Sequence, residues 1–548
     1  MIFLARLEDD LSEKSRLLNE ALPIREELVR NSDAFTPGDL WNRGIARNYL
    51  ALVKMELSKT ESDPDPRITL LRSAALDMQE CIDLCTKSLE ADSRAGMRRL
   101  ASYEEWFGDI LSMIHQLSPR PDMAERAMRA YDGAANHLTE VGLFSISGRI
   151  KWKTAKENDL LGKFEESAQL YKNSAQDYRR AAENIPSLSS LFQDLALYMD
   201  AWSSIEEARL HHRQEDYSKS ADDYETATSI LQATRAWNFL SRHYKACSFL
   251  ERAEALSKRE RFQEAGTGLR RAEEEFEEAR LKIEMKTRST IESSEKNEMK
   301  EWLNLARVRA KYCQARAELE EAKSLDAKGD DEASLRKYLL ASKAFGELVG
   351  ERMIHPRTEL ETMTLLCRAW AKMKEADVKS SAQLYDEAAE SFLEAVHAAP
   401  DEKLRGIARA NSSVCKALAG LGRFRETKDN RLYPDIKRQL ENAGDLYENA
   451  GFEKATGWAR ATQRFFDAYV YLNDAVGERD PSKKAELYRL AEKHFELAGR
   501  LYAKAGFRSR EEETRKLLRR AREEIALLVP HQLLSNNPTI RGSISLHC

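Results

Sequence analysis

Helix breakers are scarce in this 548-residue chain, which has 23 glycines and 13 prolines. No proline occurs between Pro186 and Pro356, a span that an all-β architecture could hardly cross without turn chemistry. The seven cysteines include no C-x-x-C pair, which argues against a disulfide framework and places the thiols in a reducing compartment as small core residues. No stretch approaches the roughly 18 apolar residues of a membrane span, and Met1-Ile2-Phe3-Leu4-Ala5-Arg6 is too short an apolar start for a signal peptide. Net charge is −5 and the sequence pI about 6.2, so no global electrostatic footprint for nucleic acid exists.

Catalytic and cofactor signatures are missing too. Cys81/Cys85 and His211-His212 have no second pair at ligand spacing, and no H-E-x-x-H occurs. Gly266-Thr267-Gly268 follows no strand and lacks the G-K-[ST] of a phosphate cradle, so it reads as a turn or loosened helix start. The ten histidines are dispersed, there is no nucleophile elbow, and acidic pairs are expected on solvated helix faces. Neither enzyme activity nor a cofactor nor a metal is expected.

What is present is a repeat. An aromatic or leucine is followed seven residues later by a large apolar residue at Tyr131/Leu138, Tyr171/Tyr178, Tyr224/Leu231, Leu269/Phe276, Tyr338/Phe345, Tyr385/Phe392 and Tyr488/Phe495. Tyr447 opens an eighth copy, with Lys454 where the second apolar residue should stand. Seven residues are two helical turns, so each pair lies on one stripe of one helix. The markers stand 40 to 69 residues apart, room for two helices and two connections. Tryptophans 106, 152, 202, 237, 302, 370 and 458 locate a leading helix ahead of each marker except Tyr447. Turn signals such as Leu161-Gly162-Lys163 and Lys328-Gly329-Asp330 separate the helices of a pair.

The pattern predicts an all-α, right-handed solenoid of antiparallel helix pairs. Residues 1–120 form an N-terminal helical region without the marker, 121–508 the repeat array, 509–530 a closing helix, and 531–548 a disordered tail. Polar stretches predict loops at Lys286 to Lys300 and Arg423 to Pro434. The abrupt stop makes a longer parent polypeptide conceivable.

Leu161-Gly162-Lys163-Phe164-Glu165-Glu166-Ser167-Ala168-x-x-Tyr171 resembles the second half of a tetratricopeptide (TPR) repeat. Leu446-Tyr447-x-x-Ala450-Gly451-Phe452 and Leu501-Tyr502-x-x-Ala505-Gly506-Phe507 resemble the long-helix TPR-like units of soluble NSF attachment proteins. The likeness covers roughly residues 120–510 and departs from the ~34-residue TPR spacing. It implies non-catalytic partner binding and assigns no site residue.

Charge placement supplies a candidate surface. Basic pairs at i,i+4 recur on leading helices, at Arg43/Arg47, Arg149/Lys153, Arg307/Lys311, Arg368/Lys372, Arg405/Arg409 and Arg460/Arg464. Most lie opposite the tryptophan of the same helix, on a face expected to stay wet, although 87 Lys and Arg would produce about 14 such pairs by chance. A groove built from them would take an acidic protein or peptide. The expected function is therefore a cytoplasmic scaffold or adaptor for proteins. The alternative is the sensor or regulatory arm of a larger signalling polypeptide.

Overall fold

The computed structural model describes residues 8, 10–32, 36–88, 93–289, 293–351 and 357–535. Its regular structure consists of helices, and no strand occurs among the described residues. Among the described residues, α1 (Leu11–Arg30) is followed by nine antiparallel pairs. The first four are α2 (Pro37–Thr60) with α3 (Pro64–Thr86), α4 (Arg94–Leu117) with α5 (Pro121–Glu140), α6 (Phe144–Leu160) with α7 (Phe164–Asn184), and α8 (Ser189–Arg213) with α9 (Tyr217–Ala233). The next three are α10 (Ser241–Lys258) with α11 (Phe262–Ser289), α12 (Ser293–Lys328) with α13 (Asp331–Leu348), and α14 (Arg357–Lys379) with α15 (Ala382–Ala398). The last two are α16 (Glu402–Thr427) with α17 (Tyr433–Asn449) and α18 (Glu453–Gly477) with α19 (Pro481–Ala505), followed by α20 (Arg508–Ser535). Helices pack chiefly on their sequence neighbours, the contact pattern of an α-solenoid. The chain divides into two compact units, Met1–Glu251 and Arg252–Cys548.

The seven-residue stripes form the core. Tyr171, Tyr178, Tyr338, Phe345, Tyr488 and Phe495 are all buried, as are Leu269 and Phe276. In the α16/α17 pair the stripe is Leu440 and Tyr447, both buried, so Tyr447 closes the copy it was expected to open. Lys454 lies beyond the Gly451 turn, on the next helix.

Four hairpin turns share one register. Gly162, Glu215, Glu260, Gly329 and Ser380 take left-handed backbone conformations between the helices of a pair. Seven residues before the first four stand Ala155, Ala208, Ala253 and Ala322; five after stand Ser167, Ser220, Ala265 and Ser334. Small residues at both places let the helices approach. The serine hydroxyls donate to the alanine carbonyls at 2.9 Å (Ser167–Ala155), 2.9 Å (Ser220–Ala208) and 3.0 Å (Ser334–Ala322). The apolar pairs then follow the turn residue by nine and sixteen positions, as Tyr171 and Tyr178 follow Gly162.

The α14/α15 hairpin, turning at Ser380, departs from this register. Met373 stands seven before Ser380 and Tyr385 five after, two large side chains in place of two small ones. Tyr385 and Phe392 therefore sit one helical turn earlier on their helix than the other pairs.

Three boundaries differ from expectation. The stretch Lys286 to Lys300 is helical on both sides of residues 290–292, which lie outside the described residues, because α11 and α12 extend into it. Intrahelical ion pairs such as Arg280–Glu284 (3.5 Å) and Arg288–Glu284 (2.6 Å) support a polar helix end there. The break at 423–434 shrinks to a left-handed Lys428 and a short 3₁₀ turn, Asn430–Leu432. The closing helix reaches Ser535, so the expected tail overlaps it; residues 536–548 lie outside the described residues. Within residues 1–120, α2/α3 and α4 form ordinary pair elements whose contact is close enough that a Cβ on Gly44 would lie 2.4 Å from Cys85 Sγ.

Candidate functional site

Charged side chains on successive leading helices meet in rungs tied to the turn register. In the first unit, Asp159 stands three residues before Gly162, and Arg209 stands six before Glu215. Their side chains pair at 2.6 Å. In the second unit, Asp326 and Lys374 occupy the same places before Gly329 and Ser380 and also pair at 2.6 Å. Each rung joins the end of one leading helix to the next.

The rung at Lys374 borders a cavity of about 420 Å³ in the second unit. Four leading helices line it: α12 with Asp326 and Ala327, α14 with Trp370, Met373, Lys374 and Asp377, α16 with Asn411, Val414 and Leu418, and α18 with Ala455 and Trp458. Gly329 at the turn, Asp331 of α13, Tyr447 of α17, and Phe507 and Arg510 around the start of α20 complete the wall. The unit bends far enough that Lys454 of α18 donates to the Glu260 carbonyl of the α10/α11 turn at 3.0 Å. The cavity adjoins the irregular hairpin, and Met373, which replaces the usual alanine, forms part of its wall.

Lys374 Nζ contacts three carboxylates, Asp326 at 2.6 Å, Asp377 at 2.6 Å and Asp331 at 3.1 Å. Burial opposes its charge, but Asp326 and Asp377 outweigh that cost and hold the ammonium above the ordinary lysine range. Burial pushes the Asp326 carboxyl upward against the pull of Lys374. The Tyr385 hydroxyl donates to Asp377 and the Tyr447 hydroxyl to Asn411 Oδ1, the latter at 2.8 Å. Arg510, exposed at the edge, pairs with Glu513 at 2.9 Å. Trp370 is braced against Tyr338 and Phe392, while part of its surface stays open.

Most basic pairs singled out from the sequence have acidic partners. Arg149 and Lys153 converge on Glu105 at 2.6 and 2.8 Å, and Lys153 reaches Asp109 at 2.8 Å. Arg307 grips Glu351 at 2.8 Å, with Lys311 at 3.6 Å. Arg405 and Arg409 share Glu402 at 2.7 and 3.1 Å. Arg460 meets Glu448 at 2.6 Å and Arg464 meets Asp467 at 3.2 Å. Arg368 is exposed and Lys372 half-buried, and no ion pair engages either among the described residues. Sequence reasoning missed Lys374 and its carboxylates; their position relative to the turn residue was the available signal.

His211 contacts Asp223 at 2.6 Å and His212 contacts Glu251 at 3.0 Å, whereas Cys81 and Cys85 are buried in the α2/α3 contact. No group of three or more His, Cys, Asp or Glu placed to hold a metal occurs among the described residues. Gly266 and Gly268 lie inside α11, Gly268 facing Ala253. No described helix is long and apolar enough to cross a membrane.

Neither a known protein family nor a curated protein matches this chain. Among solved structures it is similar to a "Circular tandem repeat protein with novel repeat topology and enhanced subunit contact surfaces". Identity is 13%, coverage 95% of this chain and 99% of that one, and the TM-score 0.14. The solenoid assignment stands on the helix pairs and their consecutive packing.

Proposed function

We propose that this chain is a non-catalytic scaffold that holds protein segments on the inner faces of its leading helices. The observation that carries this reading is the cavity of about 420 Å³, whose walls come from four successive leading helices. No single hairpin could build such a site, so binding there depends on the array. Its chemistry favours holding over reacting. Lys374 is kept protonated by its carboxylates, and burial pushes the neighbouring core thiols of Cys367, to about 12, and Cys415 upward, away from the nucleophilic thiolate. The six cysteines among the described residues are all buried, which suits a reducing, cytoplasmic setting.

Capture of partners with the full chain from its native cell, followed by mass spectrometry at low and high salt, tests this reading. A recurrent polypeptide partner is expected. Exposed Arg368 and half-buried Lys372 are the candidates for contacting an acidic portion of it, and reversing them should weaken capture chiefly at low salt. The sensor reading is favoured by the cavity volume, which falls in the range of small-molecule sites. Thermal stabilisation by a metabolite fraction, with no polypeptide captured, would select it.

A further inference from the structure

The cavity of the second unit has an imbalance of hydrogen-bonding capacity. A lysine ammonium carries three N–H donors and accepts nothing. Lys374 faces one carboxylate for each donor, at 2.6, 2.6 and 3.1 Å, so it has none left for an incoming anion. Its carboxylate partners, by contrast, each have several lone-pair sites, and a single lysine charge cannot neutralise three of them. Asp326 and Asp331 keep about a third of their side-chain surface open, 33% and 38%. The other lining cation, Arg510, is matched by Glu513 at 2.9 Å. Trp370 and Trp458 add aromatic surface that is only partly covered by the core. Surplus acceptors beside aromatic faces favour a cation on an alkyl stem over an anion.

We propose that this cavity receives a basic side chain, lysine or arginine, presented by a partner polypeptide. The cationic end meets Asp326 and Asp331, and the stem lies against Trp370 and Trp458. This assignment rests on the scaffold reading and specifies the chemistry of what is held. Burial holds the Asp326 carboxyl above its ordinary range, and a bound cation would relieve that cost.

The test is titration calorimetry of the full chain at low ionic strength with capped pentapeptides, Gly-Gly-X-Gly-Gly, where X is Arg, Leu or Glu, and with agmatine as the free cation. The arginine peptide should bind at least about tenfold more tightly than the leucine or glutamate peptide and weaken in high salt. Asp331→Asn, at the half-buried first position of α13, and Trp458→Leu should each reduce that affinity about tenfold, with helicity retained. The proposal is overturned if the glutamate peptide binds as well as the arginine peptide. It is equally overturned if both variants fold and bind arginine unchanged. Binding of agmatine without the arginine peptide would overturn the partner side chain in favour of a free amine. A captured partner whose binding survives both substitutions leaves the scaffold reading intact and removes this one.

Discussion

At the scale of single residues, two buried glutamates show how neighbours set charge. Glu206 is fully buried, shares Arg209 with Asp159, and has one oxygen that no donor reaches. Burial pushes its carboxyl up to about 8 against the opposing pull of Arg209. Glu320 is equally buried, but Lys323 and Arg316 approach at 2.9 and 3.5 Å and overcome the burial cost, lowering its carboxyl. Because the folded-state value of Glu206 lies above its unfolded value, its contribution is fully present below about 4.5 and is lost as pH rises through about 8. Glu206→Gln should therefore flatten the fall in melting temperature between pH 5 and 8.5, gaining on the order of a few kcal/mol at the alkaline end. An unchanged pH profile would show that Glu206 is already ionised. Tyrosine positions differ as well. Tyr171→Ala should cost ~3–5 kcal/mol in chemical denaturation, whereas half-buried Tyr385→Ala should cost about half as much. The seven-residue spacing made Tyr171 legible as core, but the one-turn shift of Tyr385 shows only against the turn residue. Glu206 was illegible because in a chain with 92 acidic residues an acid is read as solvated.

At the scale of helices, ends were legible where cap chemistry is strong. Asp330 accepts from the Ala333 amide at 3.1 Å, and Asp480 from the Ser482 amide at 2.8 Å, as their places before helix starts predict. Glu215, Glu260 and Ser380 turn the chain without the expected glycine, so those boundaries left little trace. The polar ends of α11 and α12 read as loop because intrahelical ion pairs, rather than an apolar stripe, support them. Ion pairs between helices also govern the basic pairs. Reversing Arg149 and Lys153 to glutamate places like charges beside Glu105 and Asp109, and should lower the melting temperature by several degrees. The same reversal at Arg368 and Lys372 breaks no ion pair and should leave the melt within about a degree. Equal loss from both double variants would remove the distinction between tied and available cations.

For the whole molecule, each stripe is covered by the next helix, and stability propagates between neighbours. Hydrogen exchange of Tyr171→Ala should show protection lost in α6, α7 and α8 and retained in α12 to α19. Loss spread evenly over both units would contradict a quasi-linear array. Repeat architecture was legible because it is written many times over in the chain. The cavity was not, because it arises where one hairpin departs from the repeat and four distant segments converge. Polypeptide binding at the inner face of the second unit can be read from a photo-crosslinking residue at Ala327, exposed on the cavity wall, against one at Glu390, exposed on α15. In the native cell Ala327 should yield a discrete crosslinked polypeptide with a lysine or arginine beside the attachment point, and Glu390 should yield little. Crosslinks from Glu390 alone, with Ala327 silent, would contradict it.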